Sequence, residues 1–448
     1  MSGSTPETHA AIVVGAGLAG LTAAWRLRQR GIDALVLEAS DRVGGCIRTV
    51  ESRGFRFEAG PNSMRGSSLS LSALVAGLDL ENERVLSNPM GRHAWIWRNG
   101  RRHALPSSPP ALVQTGLLSP RGKLRLLAEP FLPRWRGSLE SASIGEFLTA
   151  RLGPEAITAL VDPFMSGVFA GDPSHLGLDA FPMFKIAAER GGLVRAIPAF
   201  KAARGGGPRD KGAARASSFR DGLETLPRAL AAAIGAERIR TGARVTAVTP
   251  SLDGAHTVHV DGEALTTRRL VLATPPGALA ALIGAPELAI PEASVVTVGL
   301  GLRAHDLTVA PDGFGVLLAS DSPLGEVIGV VLASAIFSGR TPDGGVALTC
   351  VIGGVRHPEA IGRSDEVLVA EATSAVERIF GCRDRLVPQA VNVARWPGGI
   401  AQIPPGHFAA LAAVRARLPR GIALAGAVDG PGLDPVATSG LRAADAVS

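Results

Sequence analysis

Apolar positions along the chain fall into short blocks of two kinds. Ala11-Ile12-Val13-Val14 is a continuous apolar run, the pattern of a strand buried on both faces. A glycine-rich turn follows, then Leu21-Thr22-Ala23-Ala24-Trp25-Arg26-Leu27-Arg28-Gln29-Arg30, with helical spacing that stops at Gly31. Ala34-Leu35-Val36-Leu37 is a second strand ending in Glu38. Much later, Arg244 to Val248 and Arg269 to Ala273 read as two further strands, and Ile422 to Ala425 as another. Val436 to Val447 reads as a closing helix. The pattern predicts an α/β chain with a Rossmann-like domain assembled from three separated pieces.

The first turn carries the chemistry. Gly15-Ala16-Gly17-Leu18-Ala19-Gly20 sits between strand and helix, and Glu38 closes the next strand, the order of a dinucleotide site. Gly15 suits the tight turn, Gly17 lets backbone N–H groups approach a pyrophosphate, and Gly20 lets the helix lie near the strand. Glu38 is placed for the ribose hydroxyls. A second glycine-rich turn, Gly430-Pro431-Gly432-Leu433, precedes the closing helix and offers N–H donors at a positive dipole end.

With 448 residues, 46% hydrophobic and 19% charged, the chain suits two or three globular domains. Three cysteines, Cys46, Cys350 and Cys382, stand without CxxC spacing, so neither a disulfide framework nor a metal site is expected. The first residues lack the basic and apolar regions of a secretory signal, and no run reaches the ~18 apolar residues of a spanning helix, so the expected address is cytoplasmic. The net charge of +6 brings no nucleic-acid module with it. From Arg92 to Arg136, however, Arg98, Arg101, Arg102, Arg121, Lys123, Arg125, Arg134 and Arg136 face one acid, Glu129. They interleave with Trp95, Trp97, Trp135 and several leucines, a composition suited to an anionic bilayer face or to a solvated basic surface. Nine dispersed histidines and the absence of a nucleophile elbow support no other chemistry.

After Glu38 and Ala39 come Arg42-Val43-Gly44-Gly45, Arg48-Thr49 and Gly54-Phe55-Arg56-Phe57-Glu58-Ala59-Gly60-Pro61-Asn62, a series that resembles the amine-oxidase-like flavoproteins. Phe164 to Leu176, FMSGVFAGDPSHL, then resembles the glycine-rich segment of protoporphyrinogen oxidases. GPNSM at Gly60, WRNGRRHALPSSPPAL at Trp97, FRDGLETLPRAL at Phe219, APDGFGVLL at Ala310, RWPGGIAQIPPGH at Arg395 and SGLRAADAV at Ser439 follow that family's order.

The resemblance implies an FAD enzyme that removes six electrons from protoporphyrinogen, using oxygen and giving peroxide, in haem biosynthesis. Flavin N5 accepts hydride and the product's aromaticity drives the reaction, so no catalytic residue is assigned. It further implies a mixed-sheet substrate domain (276–385), a helical membrane-binding lobe (89–213) and an FAD domain (1–88, 214–275 and 386–448), with Lys201 to Arg215 as a linker. Expected FAD contacts are Gly15, Gly17, Leu18, Ala19, Gly20, Glu38, Ala39, Arg42, Gly44, Gly45, Gly60, Pro61, Asn62, Val245, Ala273, Trp396, Gly426, Leu433 and Val436. Expected substrate contacts are Asn62, Gly167, Leu318, Val331 and Val351. Leu318, Val331 and Val351 would serve equally as core, and Asn62 equally as a cap on the turn after Pro61.

The expected partners are the tetrapyrrole, oxygen, the inner membrane face held peripherally, a second copy of the chain and ferrochelatase. Nucleic acid is not among them. Ala94 stands where relatives place a propionate-binding arginine, leaving Arg92, Arg98 or Arg195 to substitute; Cys46 and Ile403 also depart from the pattern. Coproporphyrinogen is the alternative substrate. An amine oxidase is disfavoured by the absence of tyrosine, a carotenoid desaturase by the GDP segment, and an idle FAD-binding partner by the intact glycines.

Overall fold

The computed structural model describes residues 7–65, 68–106, 108–203, 215–251 and 254–448. Most of the linker expected at Lys201 to Arg215, including Gly205 to Gly207, lies outside them.

Five parallel strands form the nucleotide-side sheet, in the order Ile239–Arg240, Ala34–Leu37, Ala11–Val14, Leu270–Leu272, Ile422–Leu424. Four of them are fully buried apolar runs of the kind a parallel sheet requires. Helices Leu18–Gln29, Thr225–Ile234 and Leu433–Val447 cover one face. A four-stranded sheet containing Val245–Thr249 and His256–Val260 covers the other. Residues 11–37, 217–272 and 422–447 thus build one layered unit from three stretches of chain.

A seven-stranded sheet forms the second unit, in the order Ala390–Ala401, Glu292–Arg303, Gly345–Gly353, Val327–Val331, Gly315–Leu318, Ala94–Arg98, Arg101–Ala104. Helix Asp365–Phe380 packs on one face. The other face receives the hairpin Thr49–Ser52/Phe55–Glu58 and helix Asp162–Phe169. Phe57 sits so tightly on the sheet that a Cβ at Gly299 would lie 2.7 Å from its ring.

Two placements move elements between regions. Ala94 to Trp97 pair in parallel with Gly315 to Leu318, so strands expected in the lobe belong to this sheet. Ala390 to Ala401 pair with Glu292 to Gly301 although the expected boundary put them with the nucleotide unit. The same pairing redirects the tryptophans. Trp97 is buried in the core, and Trp95 donates its indole N–H to Asp312 O at 2.7 Å beneath the Arg102 guanidinium. Trp135 meets Phe147 edge to face, with ring centroids 5.2 Å apart. All three pack against the protein's own residues; alternation within a strand hid two of them from a reading by composition.

Between the two units, short helices build the lobe: Pro120–Leu127, Ile144–Leu152, Asp162–Phe169, Pro182–Glu189 and Ile197–Ala203. A π-helical stretch, Ile157–Val161, runs directly into Asp162. Among the described residues no helix is long and apolar enough to cross a membrane.

A buried ion pair joins the units. Arg340 lies 3.4 Å from Glu58, both almost fully enclosed, and also donates to the Ser218 hydroxyl at 2.7 Å. Burial raises the Glu58 pKa and lowers that of Arg340, so desolvation outweighs their attraction on both sides.

Candidate functional site

The site begins at the glycine turn. Gly15 adopts a φ of 101° and a Cβ there would meet Ala273 O at 2.6 Å; a Cβ at Gly20 would fall 1.8 Å from Gly15 O. Gly17 caps helix Leu18–Gln29 with no side-chain cap, and Leu21 donates the first helical bond, to Gly17 O. The N–H groups of Leu18, Ala19 and Gly20 precede that ladder and form an anion site. Gly45 closes the turn from the opposite side, where a Cβ would lie 3.2 Å from Gly17 Cα, and Gly44 donates to Ala16 O at 2.8 Å.

Glu38 emerges from the strand end and accepts from the N–H of Ala16 at 2.7 Å and of Ser40 at 2.8 Å. Its carboxylate keeps further lone pairs for ribose hydroxyls. Ala39, beside it, is exposed. Arg42 turns inward instead, donating to the carbonyls of Val43, Ile47 and Gly45, so it knits the loop that carries the two glycines. Val245 lies half-buried on the second sheet, packed on the core beneath the Glu38 strand.

The other end of the hollow is built from distant chain. Ala59 O accepts from the Thr297 hydroxyl and the Trp396 indole, each at 2.6 Å, which fixes the Gly60-Pro61-Asn62 backbone. A Cβ at Gly60 would lie 1.9 Å from Cys46 O. Burial pushes the Cys46 thiol above its ordinary pKa although the side chain is open to solvent, as fits a residue lining a hollow. Asn62 Nδ2 donates back to Gly60 O at 3.2 Å, which is the turn-capping role, while its Oδ1 is buried without a partner. Thr274 Oγ1 is buried and unpartnered as well. At the C-terminal turn the Gly426 N–H donates to Ser439 Oγ at 2.8 Å. Gly432 opens helix Leu433–Val447 without a side-chain cap, and Leu433 and Val436 pack on the core beside Ala273.

Two orphaned polar atoms, two uncapped helix starts and a carboxylate at a strand end fit a bound dinucleotide flavin. Residues 18–448 match the family described as flavin containing amine oxidoreductase. The chain belongs to that family. A chloroplastic protoporphyrinogen oxidase of Nicotiana tabacum is 29% identical over 437 residues, covering 91% of this chain and 78% of its own. A coproporphyrinogen III oxidase of Bacillus subtilis is 24% identical, covering 88% of each chain. A provisionally named protoporphyrinogen oxidase from Exiguobacterium sp. 255-15, a solved structure, superposes with a TM-score of 0.83 at 23% identity over 99% of both chains. The cofactor of this family member is FAD, and the enzyme is an oxidoreductase.

Beside the hollow lies an apolar wall. Ala170, Val295, Ile328, Val351, Val355, Trp396 and Ile400 cluster on the sheet face that also receives the hairpin. Val351 belongs to it, and Val331, alternating with the core residue Val330, faces the same way. Leu318 does not. It is 1% exposed inside the opposite core with helix Asp365–Phe380, and its neighbour Leu317 takes the flavin-side face. In a strand a one-residue difference reverses the face.

Gly167 lies in helix Asp162–Phe169, pressed on the sheet; a Cβ there would meet Leu317 Cδ2 at 2.5 Å and Ile328 O at 3.1 Å. The helix ends at Ala170 in a left-handed conformation. Gly171 donates back to Met165 O, Gln402 holds Phe169 O and Val355 holds Ala170 O, so the Gly167 and Val168 carbonyls fall outside these closing bonds.

Of the three proposed substitutes for the missing arginine, Arg195 is engaged, donating to the carbonyls of Pro130, Leu132 and Gly191, while Arg98 pairs with Asp321 at 3.5 Å and keeps a buried Nη1 without a partner. The Arg92 side chain lies outside the described residues. Sequence reasoning missed Thr297, Ile328, Val355 and Ile400, whose only signal is strand parity. Glu292, raised by burial and lowered by the Gly277 N–H, serves the start of helix Pro276–Ile283.

A Gly20→Ala enzyme should purify without FAD, because the added methyl has no room against the Gly15 carbonyl. Glu38→Gln should keep FAD but release it about tenfold more readily, the loss of one charge-assisted bond. Equilibrium dialysis with absorbance at the flavin band measures both, and full FAD retention by Gly20→Ala would refute the placement.

Proposed function

We propose that this chain oxidises protoporphyrinogen to protoporphyrin, with oxygen as the final acceptor. The observation that carries the reading is the wall of Ile328, Val351, Val355, Trp396 and Ile400 beside the flavin hollow, with helix-end carbonyls near it. Bound FAD supplies hydride acceptance and returns the electrons to oxygen.

The protein's residues do the rest. The apolar wall excludes water and suits a flat macrocycle better than a charged substrate. The carbonyls of Gly167 and Val168 are acceptors for pyrrole N–H groups. Thr297 and Trp396 hold Ala59, and through it Asn62, at the junction of hollow and wall. The Asn62 Oδ1, buried and unpartnered, is an acceptor for an N–H of flavin or substrate.

Two features favour this over its rivals. None of the four lysines, Lys123, Lys185, Lys201 and Lys211, belongs to a strand of the seven-stranded sheet that would present one to a flavin in an amine oxidase. Arg195 is engaged by the carbonyls of Pro130, Leu132 and Gly191, so it offers coproporphyrinogen's two additional propionates no free guanidinium fork. Purified, FAD-loaded protein should therefore turn over protoporphyrinogen at least about tenfold faster than coproporphyrinogen by porphyrin fluorescence in air. The reverse preference would transfer the enzyme to the coproporphyrinogen reaction, and turnover of neither would end the proposal.

The lobe carries the membrane part of the reading, at the inner face of the cell membrane. Phe131 is 87% exposed, Leu124 68% and Leu127 56%, beside the exposed Arg121, Arg134 and Arg136. Phe131 is held outward by design of its turn: buried Glu129 pairs with Arg151 at 2.7 Å and accepts from Leu193 N, while Arg195 holds Leu132 O. A rigid apolar tip ringed by cations suits an anionic bilayer surface. Replacing Phe131, Leu124 and Leu127 with serine should cut co-sedimentation with phosphatidylglycerol vesicles by about tenfold or more. Unchanged sedimentation would remove the lobe from the membrane.

A further inference from the structure

Arg356 joins the two ends of the glycine-rich segment. Its Nη2 lies 2.5 Å from Asp162 Oδ1, at the start of helix Asp162–Phe169, and 2.9 Å from Asp172 Oδ2, just beyond the helix end. Asp162 is 5% exposed and also accepts from Ser320 N at 3.2 Å. Asp172 spends its other oxygen on the N–H and hydroxyl of Ser174. Arg356 comes from the loop after strand Gly345–Gly353, the strand that carries Val351. Two residues of that loop touch the helix end: Val355 donates to Ala170 O at 3.0 Å, and a Cβ at Gly354 would stand 2.9 Å from the same oxygen.

The surroundings show why a fastening is needed. The π-helical turn Ile157–Val161 enters Asp162 directly, and such turns are irregular and often sit at functional hinges. At the start of the helix lies an open cavity of about 730 Å³, lined by Thr149, Thr158, Asp162, Asp172, Ser320 and Arg356 among others. Helix Asp162–Phe169 packs on the sheet at Gly167 and on the lobe's own core through Met165. Fastenings made by Arg356, Ser320, Val355 and Gln402 hold its two ends. Burial would raise the Asp172 pKa, yet the Ser174 bonds and Arg356 hold it below the ordinary carboxylate value. Arg356 in turn is held above its own ordinary value by the two carboxylates, against the effect of burial.

We infer that Arg356 is a positioning residue: by clamping Asp162 and Asp172 it fixes the height of Gly167 over the sheet, and so the width of the slot for the macrocycle. The kinetic part of this inference rests on the function proposed above. Its structural part does not.

The test compares holoenzyme with the Arg356→Ala, Arg356→Lys and Asp172→Asn variants. In Arg356→Ala, hydrogen exchange at the amides of Ala170, Gly171 and Val355 should quicken by about tenfold or more, while the amides of Ala11 to Val14 hold. The kcat/KM for protoporphyrinogen should fall about 100-fold, mostly in KM, as a displacement of the order of 1 Å can cause. Reoxidation of dithionite-reduced flavin by oxygen should not change. Lys at 356 should restore part of both losses, and so should guanidinium ion at millimolar concentration added to Arg356→Ala, because the cavity admits it.

Unchanged exchange at those three amides overturns the inference, as does acceleration spread equally over Ala11 to Val14, which marks general destabilisation. Equal loss of flavin reoxidation also overturns it. A wild-type chain inert to porphyrinogens would overturn the functional proposal alone, since the exchange comparison decides the clamp by itself.

Discussion

The architecture depends on backbone lying against backbone at distances that leave no room for a Cβ. At the nucleotide turn a Cβ on Gly20 would stand 1.8 Å from Gly15 O, and where the first and last helices cross, one on Gly440 would stand 2.3 Å from Ala19 O. The first contact sets the helix close enough to its strand for uncapped N–H groups to face a pyrophosphate. The second brings the C-terminal helix onto the same layer, so that a stretch of chain some 400 residues away completes the hollow. Helix and sheet meet at Gly167 under the same constraint.

Given these approaches, the chemistry needs few side chains. A flavin is a complete redox catalyst, and the protein adds position and dryness. Donors converge on carbonyls rather than on substrate: Trp396 and Thr297 on Ala59, Gln402 on Phe169, Val355 on Ala170. Each pins a stretch of backbone that borders the hollow or the wall. Charge is kept behind the slot, in the Arg356 clamp, and at the joint between units, in the Arg340–Glu58 pair.

How far the sequence discloses this varies with the length scale of the signal. The turn from Gly15 to Gly20 and the acid at Glu38 are legible because spacing along one stretch fixes their geometry. The mixed fold class follows from alternating buried runs and helical spacing. Faces of strands are less legible: Leu318 and Leu317 are chemically identical neighbours, and only the register with Ala94 to Trp97 shows that Leu317 faces the lobe. Trp95 and Trp97 look like membrane residues by composition and are inward-facing by pairing. Arg356 carries no local motif, because its meaning comes from Asp162 and Asp172, nearly two hundred residues upstream.

The central claim is that a flavin in the hollow receives electrons from a porphyrinogen against the Val351 face. Anaerobic mixing of FAD-loaded protein with protoporphyrinogen measures this directly, by following flavin absorbance and porphyrin fluorescence together. The account predicts that, with protein in excess, the flavin bleaches on first contact and that one porphyrin appears for every three flavins reduced. A flavin that stays oxidised with protoporphyrinogen but bleaches with a simple primary amine would contradict it.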